Sequence, residues 1–405
     1  MRILFLNERI GFMGGVEQHI HDAARAMAAR GHEVALAWGQ ACRDVETMAA
    51  PFAEHYPCLE LTPSGVEPST DTRLYGLVTS FRPDVLYLHK VPSLVPVEPY
   101  LGRIPTVRMI HDHDVCCPRR HKYFAFSKTL CERPVGWRCW ADLAFVARDR
   151  SRRLGVRPVC LREHRRELRR HDALDRLLVG SRWMRDELTM NGLDAERIHI
   201  VPPTIAPVSP DAPKPTPPPD TNELLYVGQL IAGKGVDLLL RALARLAHPF
   251  SLQVAGVGNA LDALRALSRD LGLDDRVTFL EWTPPERLAE LYRRARVVVV
   301  PSRWPEPFGM VGVEAMRAAR PVVAFAAGGI PDWLDDGVTG RLAPVGDVAR
   351  LAEALDELLG DLDLCRRMGW AGLERADAEF SPDTTADALE EILMFEALVP
   401  KRSVA

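Results

Sequence analysis

Residues 297–325 read VVVVPSRWPEPFGMVGVEAMRAARPVVAF, and this stretch decides the architecture. Four valines in a row before Pro301 form the unbroken apolar run of a strand buried on both faces, where a half-exposed strand would alternate. Residues 312–319 follow as a helix and 321–325 as a second strand. A strand, a helix and a strand in such close succession make a parallel βαβ unit with a right-handed crossover. The loop between the first strand and the helix holds Glu306, and Glu314 lies eight positions later, inside the helix.

The alternation extends outward in both directions. Strands are expected at 224–227, 251–255 and 277–280, with helices at 236–246, 261–271 and 285–295. In the first half, strands are expected at 2–6, 33–38, 84–88 and 106–110. A helix over 16–30 places Val16, Ile20, Ala23, Ala24, Met27 and Ala28 on one face and ends at Gly31. Nine prolines fall between Pro202 and Pro219; they lack amide donors and fix φ, so this stretch reads as a linker. The expected fold class is α/β, with two Rossmann-like doubly wound domains facing a central cleft. The boundaries read as 1–201, a linker at 202–221, 222–380, and a C-terminal segment at 381–405. Ligands of such sheets bind beyond the carboxyl ends of the strands.

Composition narrows the function. A chain of 405 residues, 47% hydrophobic and 26% charged, has the size of two globular domains. With 51 basic against 55 acidic residues and a net charge of −4, it lacks the basic excess of a nucleic-acid binder, so no nucleic-acid partner is expected. No apolar stretch reaches the roughly 18 residues of a membrane span. The opening Met1-Arg-Ile-Leu-Phe-Leu-Asn7 reads as a first strand rather than a signal peptide, and a cytoplasmic location is expected. Eight cysteines are too few for a disulfide scaffold of this size.

The chemistry concentrates around residue 306. The amides of a helix N-terminus and its dipole suit a diphosphate. A carboxylate accepts two hydrogen bonds from a vicinal diol, which suits a ribose or a pyranose. A Gly-rich turn, Gly228-Gln-Leu-Ile-Ala-Gly-Lys234-Gly235, adds an ammonium after a strand.

These residues resemble the donor-binding signature of the retaining GT-B glycosyltransferases of family 4, the glycosyl transferases of group 1: Glu-x7-Glu inside Pro-Ser-x-x-x-Glu-x-Phe-Gly. The likeness continues through Arg320-Pro-Val-Val-Ala324, Gly328-Gly-Ile-Pro-Asp332, Gly337-Val-Thr-Gly340 and Asp347. In the first half it runs more loosely through Gly14-Gly15-Val-Glu17 and His111-Asp112. The resemblance implies a GT-B fold and transfer of a sugar from a nucleotide-sugar, most simply a UDP- or GDP-sugar, with retention of configuration. The acceptor would be a hydroxyl of a sugar, a lipid-linked or a small-molecule compound, in glycan, glycolipid or polysaccharide synthesis. It implies that Glu314 holds the ribose, Glu306 the transferred sugar and Lys234 the diphosphate. The amides of Phe308, Gly309, Met310 and Val311 would line sugar and phosphate. Gly228 and Gln229 belong to the same donor set, Gly14 and Gly15 approach the donor phosphate, and His111 stands near the transferred sugar. A helix at 384–398 would pack back on the first domain. No cofactor and no metal are required in this scheme.

Two departures bear on it. Gln229 stands where the family usually has an arginine, so one cationic clamp is missing, and Arg303 is the neighbouring candidate to replace it. Ala319 stands where a glycine is common. Elsewhere, Cys117, Cys131 and Cys139 are candidate ligands for a structural zinc, but their irregular spacing fits small buried apolar groups as well. Ten arginines between Arg148 and Arg170 make 148–170 a candidate basic amphipathic contact with the inner membrane face. The alternative is a solvated, charge-balanced helix. Two rival functions share the architecture: a nucleotide-sugar 2-epimerase and a non-catalytic partner protein.

Overall fold

The computed structural model describes residues 1–12, 14–62, 73–122, 124, 130–143, 145–148, 156–205 and 214–398. The chain divides into two compact units, one of Met1–Thr204 with the C-terminal helix Pro382–Leu398, the other of Ile205–Ser381.

The first unit contains β1 (Arg2–Ile10), β2 (Glu33–Ala41), β3 (Glu54–Pro57), β4 (Val85–Leu88) and β5 (Thr106–Ile110). An antiparallel pair, β6 (Val146–Arg148) and β7 (Val156–Pro158), stands outside the main sheet, and β8 (Arg176–Val179) and β9 (Ile198–Ile200) complete it. Its order is β3-β2-β1-β4-β5-β8-β9, with every pairing parallel. β1 runs four residues past its apolar stretch. Asn7 is fully buried there without penalty, because its side-chain amide donates to the Arg9 carbonyl at 2.8 Å and its oxygen accepts the Lys90 amide at 3.1 Å.

Helix Gly15–Ala29 lays Ile20, Ala23, Ala24 and Met27 on the sheet, as the periodicity predicts. The C-terminal helix joins the same core through Ala386, Leu389 and Leu393. Burying each leucine contributes about 1.5–3 kcal/mol. Arg30 with Asp387 (2.7 Å) and Glu390 (3.1 Å), and His32 with Glu390 (2.7 Å), fix its register but add little stability at a surface.

The second unit contains β10 (Glu223–Val227), β11 (Ser251–Ala255), β12 (Val277–Glu281), β13 (Val297–Val300), β14 (Val322–Phe325) and β15 (Gly340–Ala343). The order is β12-β11-β10-β13-β14-β15, again all parallel. The four valines of β13 are buried, as a central strand requires. In both sheets the order reverses beside the first strand, between β1 and β4 and between β10 and β13. Loops leaving such neighbours diverge and open a crevice.

Three sequence expectations need adjustment. The end of the proline-rich stretch is anchored rather than free: Arg320, fully buried, donates to the Thr216 carbonyl at 2.9 Å and to its hydroxyl at 3.2 Å. Residues 206–213 of the linker lie outside the described residues. Second, 148–170 is not one helix. It holds the extended β7, which ends at Pro158, and a helix over Leu161–Arg170 only; residues 149–155 lie outside the described residues. Third, the helix after β13 spans Met310–Arg317, starting two residues early because Gly309, at φ 97, turns the chain into it. Among the described residues, no helix is long and apolar enough to cross a membrane.

Candidate functional site

Lys234 and Glu306 lie 72 positions apart and meet because β10 and β13 are neighbours across the reversal of strand order. Lys234 Nζ donates to Glu306 Oε1 at 2.7 Å, and the buried Ser302 hydroxyl donates to the same oxygen at 2.6 Å. The backbone holds this pair in place. The Gly233 carbonyl accepts the amides of Arg303 (3.0 Å) and Trp304 (2.8 Å), clamping the lysine turn onto the loop after β13. Gly235 sits at φ +70, and a Cβ there would lie 1.9 Å from the Pro301 carbonyl oxygen. Only glycine allows that approach. On the other side Gly328, at φ +62, lies against the Glu306 backbone, where a Cβ would come within 2.3 Å of the Glu306 carbonyl oxygen. The Gly329 amide bonds that carbonyl at 2.7 Å.

Helix Met310–Arg317 follows directly. Trp333 donates its indole N–H to the Phe308 carbonyl at 2.6 Å, and Phe308 packs edge-on against Phe380 at 5.6 Å. The turn that presents Phe308, Gly309, Met310 and Val311 is thereby fixed. The Met310 and Val311 amides, in the first turn of the helix, have no acceptor within it. One helical turn further on, Glu314 accepts the Tyr292 hydroxyl at 2.8 Å. Burial pushes the Glu314 carboxyl above its ordinary value, and the Tyr292 bond offsets part of that.

Arg303 does not supply the missing clamp. Gln229 is exposed, and among the described residues only its carbonyl is engaged, by the Tyr226 hydroxyl at 2.9 Å. Arg303 is buried, with one guanidinium nitrogen held between both oxygens of Asp237 at 2.5 and 2.7 Å, so its charge is already committed. Ala319 lies at φ 57, a left-handed conformation that costs a residue with a side chain about 1–2 kcal/mol. This is a backbone reason for the glycine common at that position.

In the first unit, Gly14 and Gly15 are exposed, and a Cβ on Gly14 would meet nothing within 4 Å. Gly14 is extended, at φ 177, so neither conformation nor packing demands its glycine. His111, after β5, joins two histidines that sequence reasoning missed: His89 Nδ1 lies 2.9 Å from His111 Nε2, and His19 packs against both rings. Lys90 donates to Asp112 at 2.6 Å and the Asp114 amide to its other oxygen at 2.8 Å. Burial would raise the Asp112 carboxyl, but these donors hold it well below the usual carboxylate range; burial and the Asp112 charge push Asp114 up.

Beside them lies a cavity of about 520 Å³, lined among others by Arg108, Arg120, Arg166, Arg170 and His164. That size suits a small ligand. Buried Arg108 donates to His171 Nε2 at 2.8 Å and to the Val91 carbonyl at 3.2 Å. Arg170 is taken by Glu98 and Glu167, each at 2.6 Å. Arg120 and Arg166 hold no carboxylate among the described residues.

Cys117, Cys131 and Cys139 are not drawn to metal-ligand spacing. Among the described residues, the group of three metal-ligating side chains with donor atoms within 4.8 Å of one another is His19, His89 and His111. Cys139 instead accepts the Gly136 amide at 3.5 Å.

The family models Glycosyltransferase Family 4 and Glycosyl transferases group 1 match residues 13–207 and 209–375. The chain is 39% identical over 239 residues to a D-inositol 3-phosphate glycosyltransferase of Mycobacteroides abscessus, covering 54% of this chain and 51% of that protein. It is 42% identical over 176 residues to the protein of that name from Nocardia farcinica, covering 41% and 39%. The chain thus spans about half or less of the length of these relatives. In three dimensions it resembles Anabaena HepE, solved with UDP and glucose (TM-score 0.72, 20% identity, 98% of this chain and 100% of that one). It also resembles the sucrose-phosphate synthase of Thermosynechococcus elongatus (TM-score 0.73, 20% identity, 97% and 98%). These two likenesses show the fold, two parallel-sheet α/β domains of the GT-B kind. With a family model on each half, the chain belongs to glycosyltransferase family 4, the glycosyl transferases of group 1.

Proposed function

We propose that the protein is a retaining glycosyltransferase moving a hexosyl group from a UDP-sugar to a hydroxyl of a phosphorylated polyol. The observation that carries this reading is the Lys234–Glu306 pair at 2.7 Å, set at the carboxyl ends of β10 and β13 and leading into helix Met310–Arg317. In the reaction the bond from the anomeric carbon to the diphosphate oxygen breaks, and its electron pair leaves with the diphosphate. The acceptor oxygen bonds the anomeric carbon on the same face, and its proton passes to a diphosphate oxygen. Lys234 and the first amides of the helix offset the charge that builds on the leaving group. Glu306 orients a sugar hydroxyl, Glu314 accepts from the ribose diol, and His111 stands at the sugar. No metal ion is needed to neutralise the diphosphate in this scheme.

The cavity of the first unit supports this acceptor class. Its arginines favour an anionic group, which agrees with relatives named for inositol 3-phosphate. UDP as the carrier agrees with the HepE complexes. We place the reaction in the cytoplasm; contact of 148–170 with a membrane would add a lipid-linked acceptor, and no single observation favours it.

Thermal shift with UDP, GDP, ADP and dTDP tests the donor site. A nucleotide at 100 times its Kd stabilises by about 2.7 kcal/mol, and UDP is expected to shift melting most. UDP release from UDP-glucose should then require inositol 3-phosphate and be weaker with unphosphorylated inositol. Sugar-nucleotide consumption without any alcohol would instead mean the epimerase, and UDP binding without turnover a non-catalytic partner.

A further inference from the structure

Three imidazoles gather at the carboxyl ends of the first sheet, and the proposed reaction uses one. His19 lies in helix Gly15–Ala29, His89 follows β4 and His111 follows β5. His19 and His89 are each 1% exposed, and His111 is half-buried. His89 and His111 stack at 5.2 Å, tilted by 20°, and His19 meets the two edge-on at 5.8 and 5.3 Å. One ring nitrogen of each lies within 4.8 Å of the others, which at first sight suits a tris-imidazole metal site.

Proton positions argue against the metal. The Thr204 amide lies 3.0 Å from His19 Nδ1. A main-chain amide can only donate, so Nδ1 is the acceptor and the uncharged ring carries its proton on Nε2. That nitrogen then has no lone pair to offer a cation.

The same reasoning orders the other two rings. A single proton sits between His89 Nδ1 and His111 Nε2. Among the described residues, His89 Nε2 is buried without a partner, as is His19 Nε2. If His111 were the donor, His89 would hold its own proton on Nε2, and two buried N–H groups would be stranded. Each stranded donor costs about 1–3 kcal/mol. If His89 Nδ1–H is the donor, its Nε2 is a bare acceptor, only the His19 N–H is stranded, and His111 keeps its proton on Nδ1. Burial pushes His19 down to about 4 and His89 and His111 well below their ordinary value, so all three rings are uncharged near neutrality.

We propose that His19 and His89 are positioning residues that fix His111 in its Nδ1–H form, making it a hydrogen-bond donor to an oxygen of the bound sugar rather than a base. The identity of that oxygen rests on the glycosyltransferase reading; the proton arrangement does not.

Long-range ¹H–¹⁵N correlation spectra of the uniformly ¹⁵N-labelled protein read each ring directly. The expected result is His19 as the Nε2–H form and His111 as the Nδ1–H form, both unchanged from pH 8 to pH 5. His111 found as the Nε2–H form, or charged at pH 7, overturns the proposal without any variant. His89→Phe removes the donor and should release His111 into a mixture of forms. It should also lower kcat/KM for UDP-glucose-dependent transfer about tenfold, the worth of one hydrogen bond, with UDP affinity unchanged. His89→Asn, which can restore an N–H near the lost one, should recover the Nδ1–H form. An unaltered His111 in His89→Phe would also overturn the proposal. If the spectra agree but no acceptor supports transfer, the function reading fails and the proton arrangement stands.

Discussion

At the carboxyl ends of β10 and β13 the cations are already engaged. Glu306 holds Lys234, and Asp237 holds Arg303. Around the cavity of the first unit the pattern is mixed: Arg108 and Arg170 are tied down, while Arg120 and Arg166 hold no carboxylate among the described residues. A group pinned by a partner and by a glycine-only backbone contact presents one geometry, which suits charge that appears at one atom during a reaction. Cations without fixed partners suit capture of an anion whose position is less constrained. Under the proposed function, the pinned pair of the second unit serves the leaving diphosphate and the cavity of the first unit receives the acceptor.

Substitutions at four positions would break or sharpen that contrast. The largest effect is expected from Lys234→Ala, a fall of about 100- to 1,000-fold in turnover at saturating UDP-sugar, the usual cost of one preorganised electrostatic contact. Because Lys234 and Glu306 form one unit, Glu306→Gln added to Lys234→Ala should cost much less than the sum of the single losses. Additive losses in steady-state kinetics would dissolve the unit and the contrast with it. Next, Glu314→Ala should weaken UDP binding by about 1.5–3 kcal/mol, as for a lost charge-assisted hydrogen bond, read by calorimetry. The raised Glu314 carboxyl also binds its proton more tightly folded than unfolded. Its share of stability therefore declines as pH rises through and above its ordinary value of 4.5, and Glu314→Gln should flatten that decline in denaturant melts. The smallest effect belongs to exposed Arg166: Arg166→Ala should raise KM for a phosphorylated acceptor by about fivefold, the upper range of an exposed ion pair, with kcat unchanged. The difference should shrink as salt is added. A large loss of kcat would move the reaction centre toward the first unit.

The sequence made the second unit readable because its constraints are local. The valine run of β13, the proline-rich turn and the helix behind it occupy one stretch, so strand, Glu306 and Glu314 could all be placed. Side chains delivered by other elements could not. Tyr292 reaches Glu314 from the helix Pro285–Arg294, and no spacing rule links the two. Ser302 stood beside Glu306 in sequence, but only the folded loop turns its hydroxyl onto the carboxylate. Arg303 reads as a spare cation because Asp237, 66 positions away, meets it only in the folded chain. His19 and His89 escaped notice because one lies in a helix and the other ends a strand, and only the parallel order β1, β4, β5 brings them to His111. In 148–170 the arginines suggested one continuous amphipathic helix, and the proline closing β7 has no place in its interior.

The return of helix Pro382–Leu398 to the sheet that begins at Arg2 has a consequence for how the polypeptide is made. The unit whose strands emerge first lacks Ala386, Leu389 and Leu393 until everything from Ile205 to Ser381 has emerged. The later-encoded half can therefore complete its core before the earlier one, reversing the usual N-to-C order of domain folding. A stop codon near residue 381 would damage the unit that contains β1, not the one just completed.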